Sequence, residues 1–289
     1  MIGTLPEARP VHRGLFGRSR AQDRPRFLWV VAGLVAVFLT APIAVVVVFS
    51  FNSARSINTF ASPSFRWYST LAHDSTILAS IKVSLEIAIV TTLVATLIGS
   101  LLAIGLSRAR SRLSSTAQGI LLLTLITPEV ATGMALFLLF YAAHVTLSTF
   151  TVILGHVSFS IVFVVVIVRA RLAAIPRDTE EAALDLGATQ WNALRLVTLP
   201  QLWPAVIGAA LLTFVFSFDD FVTSYFTTGV GSNPLPVYIY SLLKFGISPE
   251  INAVGTLMIV ASVLIGILAI VLLRLRQQTA NARLLGIGE

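Results

Sequence analysis

The sequence predicts an all-α polytopic membrane protein with six transmembrane helices. Of its 289 residues, 56% are apolar and only 11% charged, against about 25% charged in soluble chains. The mean hydropathy is +0.89, and apolar stretches long enough to cross about 30 Å of hydrocarbon recur from one end to the other. Helices satisfy their own backbone groups in lipid, so a helical bundle follows.

The expected spans are 28–51, 78–106, 117–141, 148–168, 201–227 and 251–273. The first is too long for the apolar region of a signal peptide and is read as a retained helix. The second carries Lys82 and Glu86 one turn apart, read as a structural pair, with Lys82 reaching across to Asp219 as the alternative. The third holds Pro128 and Glu129, and the proline, lacking a backbone donor, is expected to kink the helix. Glu129 then lies about 18 Å into its span.

In the fourth span, His156 is read as bonding a neighbouring helix, because none of the four histidines shows metal-ligand spacing. The fifth runs from residue 201 and carries Asp219 about 27 Å along its length. Phe216, Asp220 and Thr223 or Ser224 share one of its faces at helical spacing. The domain organisation is a basic tail over 1–27, a membrane domain over 28–274 and a short tail over 275–289.

Orientation follows from the arginines. Those at 9, 13, 18, 20, 24 and 26, at 108, 110 and 112, at 169, 171, 177 and 195, and at 274, 276 and 283 fall on one side. Arg55, Arg66 and Lys244 fall on the other. The positive-inside bias places both termini in the cytoplasm. The net charge of +7 is thus topological and calls for no nucleic-acid partner, while the first tail can touch anionic membrane lipid.

Several chemistries are excluded. There is no cysteine, hence no disulfide, zinc-thiolate site or thiol nucleophile. The only lysines, Lys82 in IKVS and Lys244 in LKFG, sit in no phosphate-binding loop. No HExxH or Gly-x-Ser-x-Gly pattern supports an intramembrane hydrolase, so the chain reads as a transport component and not an enzyme.

The longest connection on the basic side, 169–200, contains RDTEEAALDLGATQWNALRLVTLP. It predicts two short helices broken at Gly187, the first capped by Asp178 with Glu181 as its capping-box partner, and the second carrying Trp191, Leu194 and Val197 at helical spacing. Glu181-Ala182-Ala183, then Gly187, Val197 and Leu199-Pro200, resemble the EAA motif of ABC importer permeases, with Val197 standing for the usual isoleucine. FSFDDFVTSYFTTG followed by FGISPEINAVGTL resembles, more narrowly, the permease subunits for spermidine and putrescine.

This resemblance implies a type I, MetI-like permease fold with a cytoplasmic coupling helix, in which Glu181, Ala182, Ala183 and Gly187 engage an ATPase subunit. It implies Ser217, Asp219, Asp220 and Glu129 as polyamine contacts. Phe216 joins them on physical grounds, since aromatic faces attract ammonium groups. The implied partners are a cytoplasmic ATPase dimer that binds ATP and Mg²⁺, a second, non-identical permease subunit, and an extracytoplasmic binding protein. The alternatives are the same permease carrying thiamine, iron or phosphonate, and an ATP-independent secondary transporter.

Overall fold

The computed structural model describes residues 26–55, 59–109, 112–245 and 249–284. Over these residues the order is α1 (Arg26–Ser50), α2 (Arg66–His73), α3 (Ser75–Arg108), α4 (Arg112–Ile126), α5 (Glu129–Ala142) and α6 (Thr149–Ala174). There follow α7 (Arg177–Asp185), α8 (Gln190–Ala193), a π-helical turn (Leu194–Thr198), α9 (Leu199–Asp219), α10 (Val222–Thr227), α11 (Leu235–Phe245) and α12 (Glu250–Leu284). Residues 1–25 of the expected first tail lie outside the described residues, and its last two, Arg26 and Phe27, already belong to α1. The chain divides after Val45, so most of α1 belongs to a unit of its own and the remaining helices form a second.

Five of the described helices are long and apolar enough to span a membrane, and the α4–α5 pair supplies a sixth when taken together. Two spans differ from expectation. The third bends at Pro128 as expected, but by 109°, so α4 and α5 are separate helices rather than one kinked one. Pro128 lacks an N–H, disfavours helical geometry in Thr127, and itself takes an extended ψ of 132° before α5 restarts at Glu129. The fifth breaks at Asp220, whose backbone is extended at ψ 111°.

The second unit is built around α3, α6 and α9, which pack on one another along their lengths. Ala103, Val164, Val165, Val168, Leu202 and Ala209 form a buried cluster toward the α7 end. Trp67, Leu71, Ile77, Ala88, Phe218, Leu235, Ala253 and Val254 form another toward the α2 end. In lipid such helices gain little from apolar burial itself and associate through close approach at small residues. Gly99 of α3 shows this approach, since a Cβ there would stand 2.7 Å from Cβ of Val164.

The α2 end is tied by polar bonds. Asp74 caps α3 by accepting from the amides of Thr76 and Ile77. Trp67 Nε1 donates to the Asn52 carbonyl at 2.6 Å, and the Leu235 amide donates to Ser84 Oγ at 2.8 Å, fixing the start of α11 on α3.

A Gly99→Leu substitution overfills the α3–α6 contact, where overpacking costs about 1–3 kcal/mol, whereas a side chain at Gly105 meets open space. Thermal unfolding in detergent should show a lower midpoint for Gly99→Leu and an unchanged one for Gly105→Leu.

Candidate functional site

The break in the fifth span is made by Asp220 itself. Its Oδ1 accepts the Thr223 amide at 3.0 Å, which satisfies a donor at the start of α10 and offers the chain an alternative to continuing α9. Phe216 and Asp220 therefore do not share a continuous helix face, as uninterrupted periodicity had implied.

Asp220 is turned inward. Its Oδ2 lies 3.1 Å from His156 Nε2, with the two side chains 5% and 1% exposed. The same nitrogen lies 3.0 Å from Ser224 Oγ, and Nδ1 lies 2.8 Å from Ser217 Oγ. With Nε2–H directed at the carboxylate, Nδ1 accepts the Ser217 hydroxyl. Three segments, α6, α9 and α10, are thus joined at one imidazole.

Close backbone approach makes these bonds possible. A Cβ on Gly155, one residue before His156, would lie 2.9 Å from Thr223 Cγ2, and one on Gly133 of α5 would lie 2.7 Å from the Phe226 ring. Thr151 Oγ1 donates to the Thr227 carbonyl at 2.8 Å, closing the far end of α10 onto α6.

The carboxyl groups of Glu129 and Asp220 lie near enough to interact electrostatically, where α5 packs on α10. The break in the third span and the break in the fifth therefore face each other, each with a carboxyl group. Glu129 is exposed at the first turn of α5, where the positive end of the helix suits an acid. Asp219 is exposed and accepts from Ser262 Oγ of α12 at 2.9 Å. Phe216 is exposed and packs edge-on against Phe163, with centroids 5.2 Å apart.

The proposed pairs of Lys82 are not formed. Lys82 and Glu86 are both exposed, and neither Lys82–Glu86 nor Lys82–Asp219 is among the ion pairs formed by the described residues. Of the acids singled out in the sequence, Glu129 and Asp220 come together, Asp219 faces α12, and Glu86 stands apart.

The 177–198 segment forms the knob that its sequence predicts, with one correction. Pro176 takes the N-cap position, and Asp178 lies inside the first turn of α7 instead of capping it. Pro176 holds a non-helical ψ of 131°, so the helix starts at Arg177 and Asp178 falls within its first turn. At the other end Gly187 has φ +88°, its amide bonds Leu184 O at 2.9 Å, and that of Ala188 bonds Ala183 O at 3.0 Å, a complete Schellman stop. Thr189 then caps α8 by accepting from the Asn192 amide.

No side chain of α7 is buried. Glu181 and Ala182 are exposed, Ala183 is half-buried, and the apolar Leu186 and Trp191 project beside them, Leu186 at 90% exposure. The exposed side of this knob therefore combines small residues with uncovered apolar neighbours. Glu180, which sequence reasoning passed over in favour of Glu181, is held instead by Arg108 and Thr198.

Residues 95–280 match the family described as binding-protein-dependent transport system inner membrane component. The chain is 37% identical over 239 residues to the putrescine transport system permease protein PotI of Escherichia coli K12, covering 80% of this chain and 85% of that protein. It is 35% identical to the spermidine/putrescine transport system permease protein PotC of Haemophilus influenzae, covering 87% and 96%. Among solved structures it resembles a chain of a bacterial ABC transporter involved in alginate import, with TM-score 0.61, 20% identity and coverage of 86% and 94%. It also resembles a chain of the inward-facing MetNI methionine transporter, with TM-score 0.60, 20% identity and coverage of 68% and 94%.

Removing the imidazole takes a hydrogen-bond partner from the buried Asp220 carboxyl, which is expected to cost about 1–3 kcal/mol. His156→Leu should therefore lower the unfolding midpoint in detergent markedly. His156→Gln, which retains a donor and an acceptor, should lower it less.

Proposed function

The chain belongs to the binding-protein-dependent transport system inner membrane components, the MetI-like permeases of ABC importers, and from that membership we propose that it passes putrescine or spermidine inward across the bacterial cytoplasmic membrane. The observation that carries the cargo is the meeting of Glu129 and Asp220 at two facing helix breaks, in a chain more than one-third identical to polyamine permeases. Irregular backbone at membrane depth is tolerated where protein buries it or where it lines a water-filled cavity.

Polyamines carry ammonium groups that are costly to bring into hydrocarbon, and carboxylates along a wet path lower that cost. Exposed Glu129 and Asp219 offer such charges directly, and Phe216 offers an aromatic face. Asp220 and Ser217 stand one layer behind, on His156. They shape the break and back the Glu129 carboxyl.

The chain works beside a second, non-identical permease subunit, receives cargo from an extracytoplasmic binding protein, and is driven by a cytoplasmic ATPase dimer that holds ATP and Mg²⁺. The arginine distribution supports cytoplasmic termini and a cytoplasmic α7. Glu181, Ala182, Ala183 and Gly187 then form the face offered to the ATPase. Closure of that dimer moves α7, the permease pair opens outward to accept cargo, and hydrolysis returns it inward.

In cells expressing the assembled system, uptake of labelled putrescine and spermidine should fall about tenfold in Asp219→Asn at matched membrane abundance, the scale of losing one charge-assisted contact, and should also fall in Asp220→Asn, which alters the break and the support of Glu129. Normal uptake in both would remove the acidic path. Ala183→Trp adds bulk to the cleft-facing side of α7. It should abolish uptake while ATP hydrolysis by the complex persists.

A further inference from the structure

Glu180 has no part in the scheme above, yet its two carboxylate oxygens bind two different membrane helices' ends. Oε1 accepts from Arg108 Nη2 at 2.5 Å, and Arg108 is the last residue of α3. Oε2 accepts from Thr198 Oγ1 at 2.9 Å, and Thr198 closes the π turn that runs directly into α9. We propose that Glu180 is the strut through which α7 moves the membrane helices, a positioning residue for coupled transport. The proposal rests on the reading of α7 as the coupling helix.

Three features support it. First, α7 buries none of its side chains, so polar bonds carry much of what fixes it to the bundle, and Glu180 supplies bonds to positions 72 and 18 residues away. Second, the elements it reaches are those of the bundle's centre: α3 and α9 pack on each other and on α6, and α9 ends at Asp219, beside the break. Displacement of α7 is thereby delivered to both central helices together.

Third, the contact to α9 is made through a π turn. Such turns widen the helix by one residue and are frequent at functional positions. Thr198 is buried, and its hydroxyl needs the partner that Glu180 provides. Glu181, the motif's own glutamate, is exposed on the same helix. The two adjacent acids therefore divide the work, Glu181 outward to the ATPase and Glu180 inward to the bundle.

The test uses the complete importer in nanodiscs and reads ATP hydrolysis with and without the loaded binding protein. Coupling between sites corresponds to about 5- to 150-fold. Glu180→Ala should keep basal hydrolysis and lose at least about fivefold of the stimulation. The exchange Arg108→Glu with Glu180→Arg preserves the ion pair and a bond to Thr198, and should restore it.

Stimulation that survives in Glu180→Ala overturns the strut, as does an exchange variant that assembles normally without regaining it. If Glu180→Ala fails to assemble, the exchange variant alone decides. Stimulation surviving in both Glu180→Ala and Ala183→Trp removes the coupling role of α7 altogether. Absence of polyamine uptake in the intact importer, with stimulation present, refutes only the cargo.

Discussion

The second unit turns on the bonds that replace a helix's own where the fifth span breaks. Inside a bilayer an interrupted helix leaves amides and carbonyls without water, and the interruption survives only if side chains take over. Asp220 does so by accepting the Thr223 amide, and His156 neutralises the polarity that Asp220 brings by binding it together with Ser217 and Ser224. Without that imidazole, Oδ2 of a buried carboxyl would lose its closest partner. With it, α6, α9 and α10 share a single polar node, and the third span's break can bring Glu129 against the same acid.

Packing serves this node. Gly155 lets α6 approach Thr223, Gly133 lets α5 approach Phe226, and Gly99 lets α3 approach Val164. Each removes the side chain that would hold the backbones apart. Apolar clusters hold the two ends of the bundle, and the bonds near 3 Å at His156 are formed where Gly155 allows the close approach of α6 and α10.

The other polar concentration, at α7, is built on opposite terms. There the helix is exposed, its stop is made by local backbone bonds at Gly187, and its fastening is an ion pair and a hydroxyl bond at a half-exposed glutamate. A buried node holds its geometry, whereas a surface-fastened helix can be moved by a partner and carry its fastenings along. The two sites are joined physically by α9, which starts next to Thr198 and ends at Asp219.

Much of this was legible in the sequence because it depends on local physics. Apolar length determines the spans, Gly187 can take the positive φ that ends α7, Pro128 interrupts the third span, and the arginine distribution sets an expected orientation. Residues 181–200 carry their own recognition pattern, so the knob was readable before any contact was known. What only the tertiary structure decided involves partners far apart in the chain. Nothing local pairs His156 with Asp220 or Glu180 with Arg108, and helical periodicity ran Phe216 and Asp220 down one face because it cannot register a side chain capping a new helix. Lys82 and Glu86, ideally spaced, do not bond. Local propensity is encoded over a few residues, while a bond between distant segments depends on how closely whole helices pack.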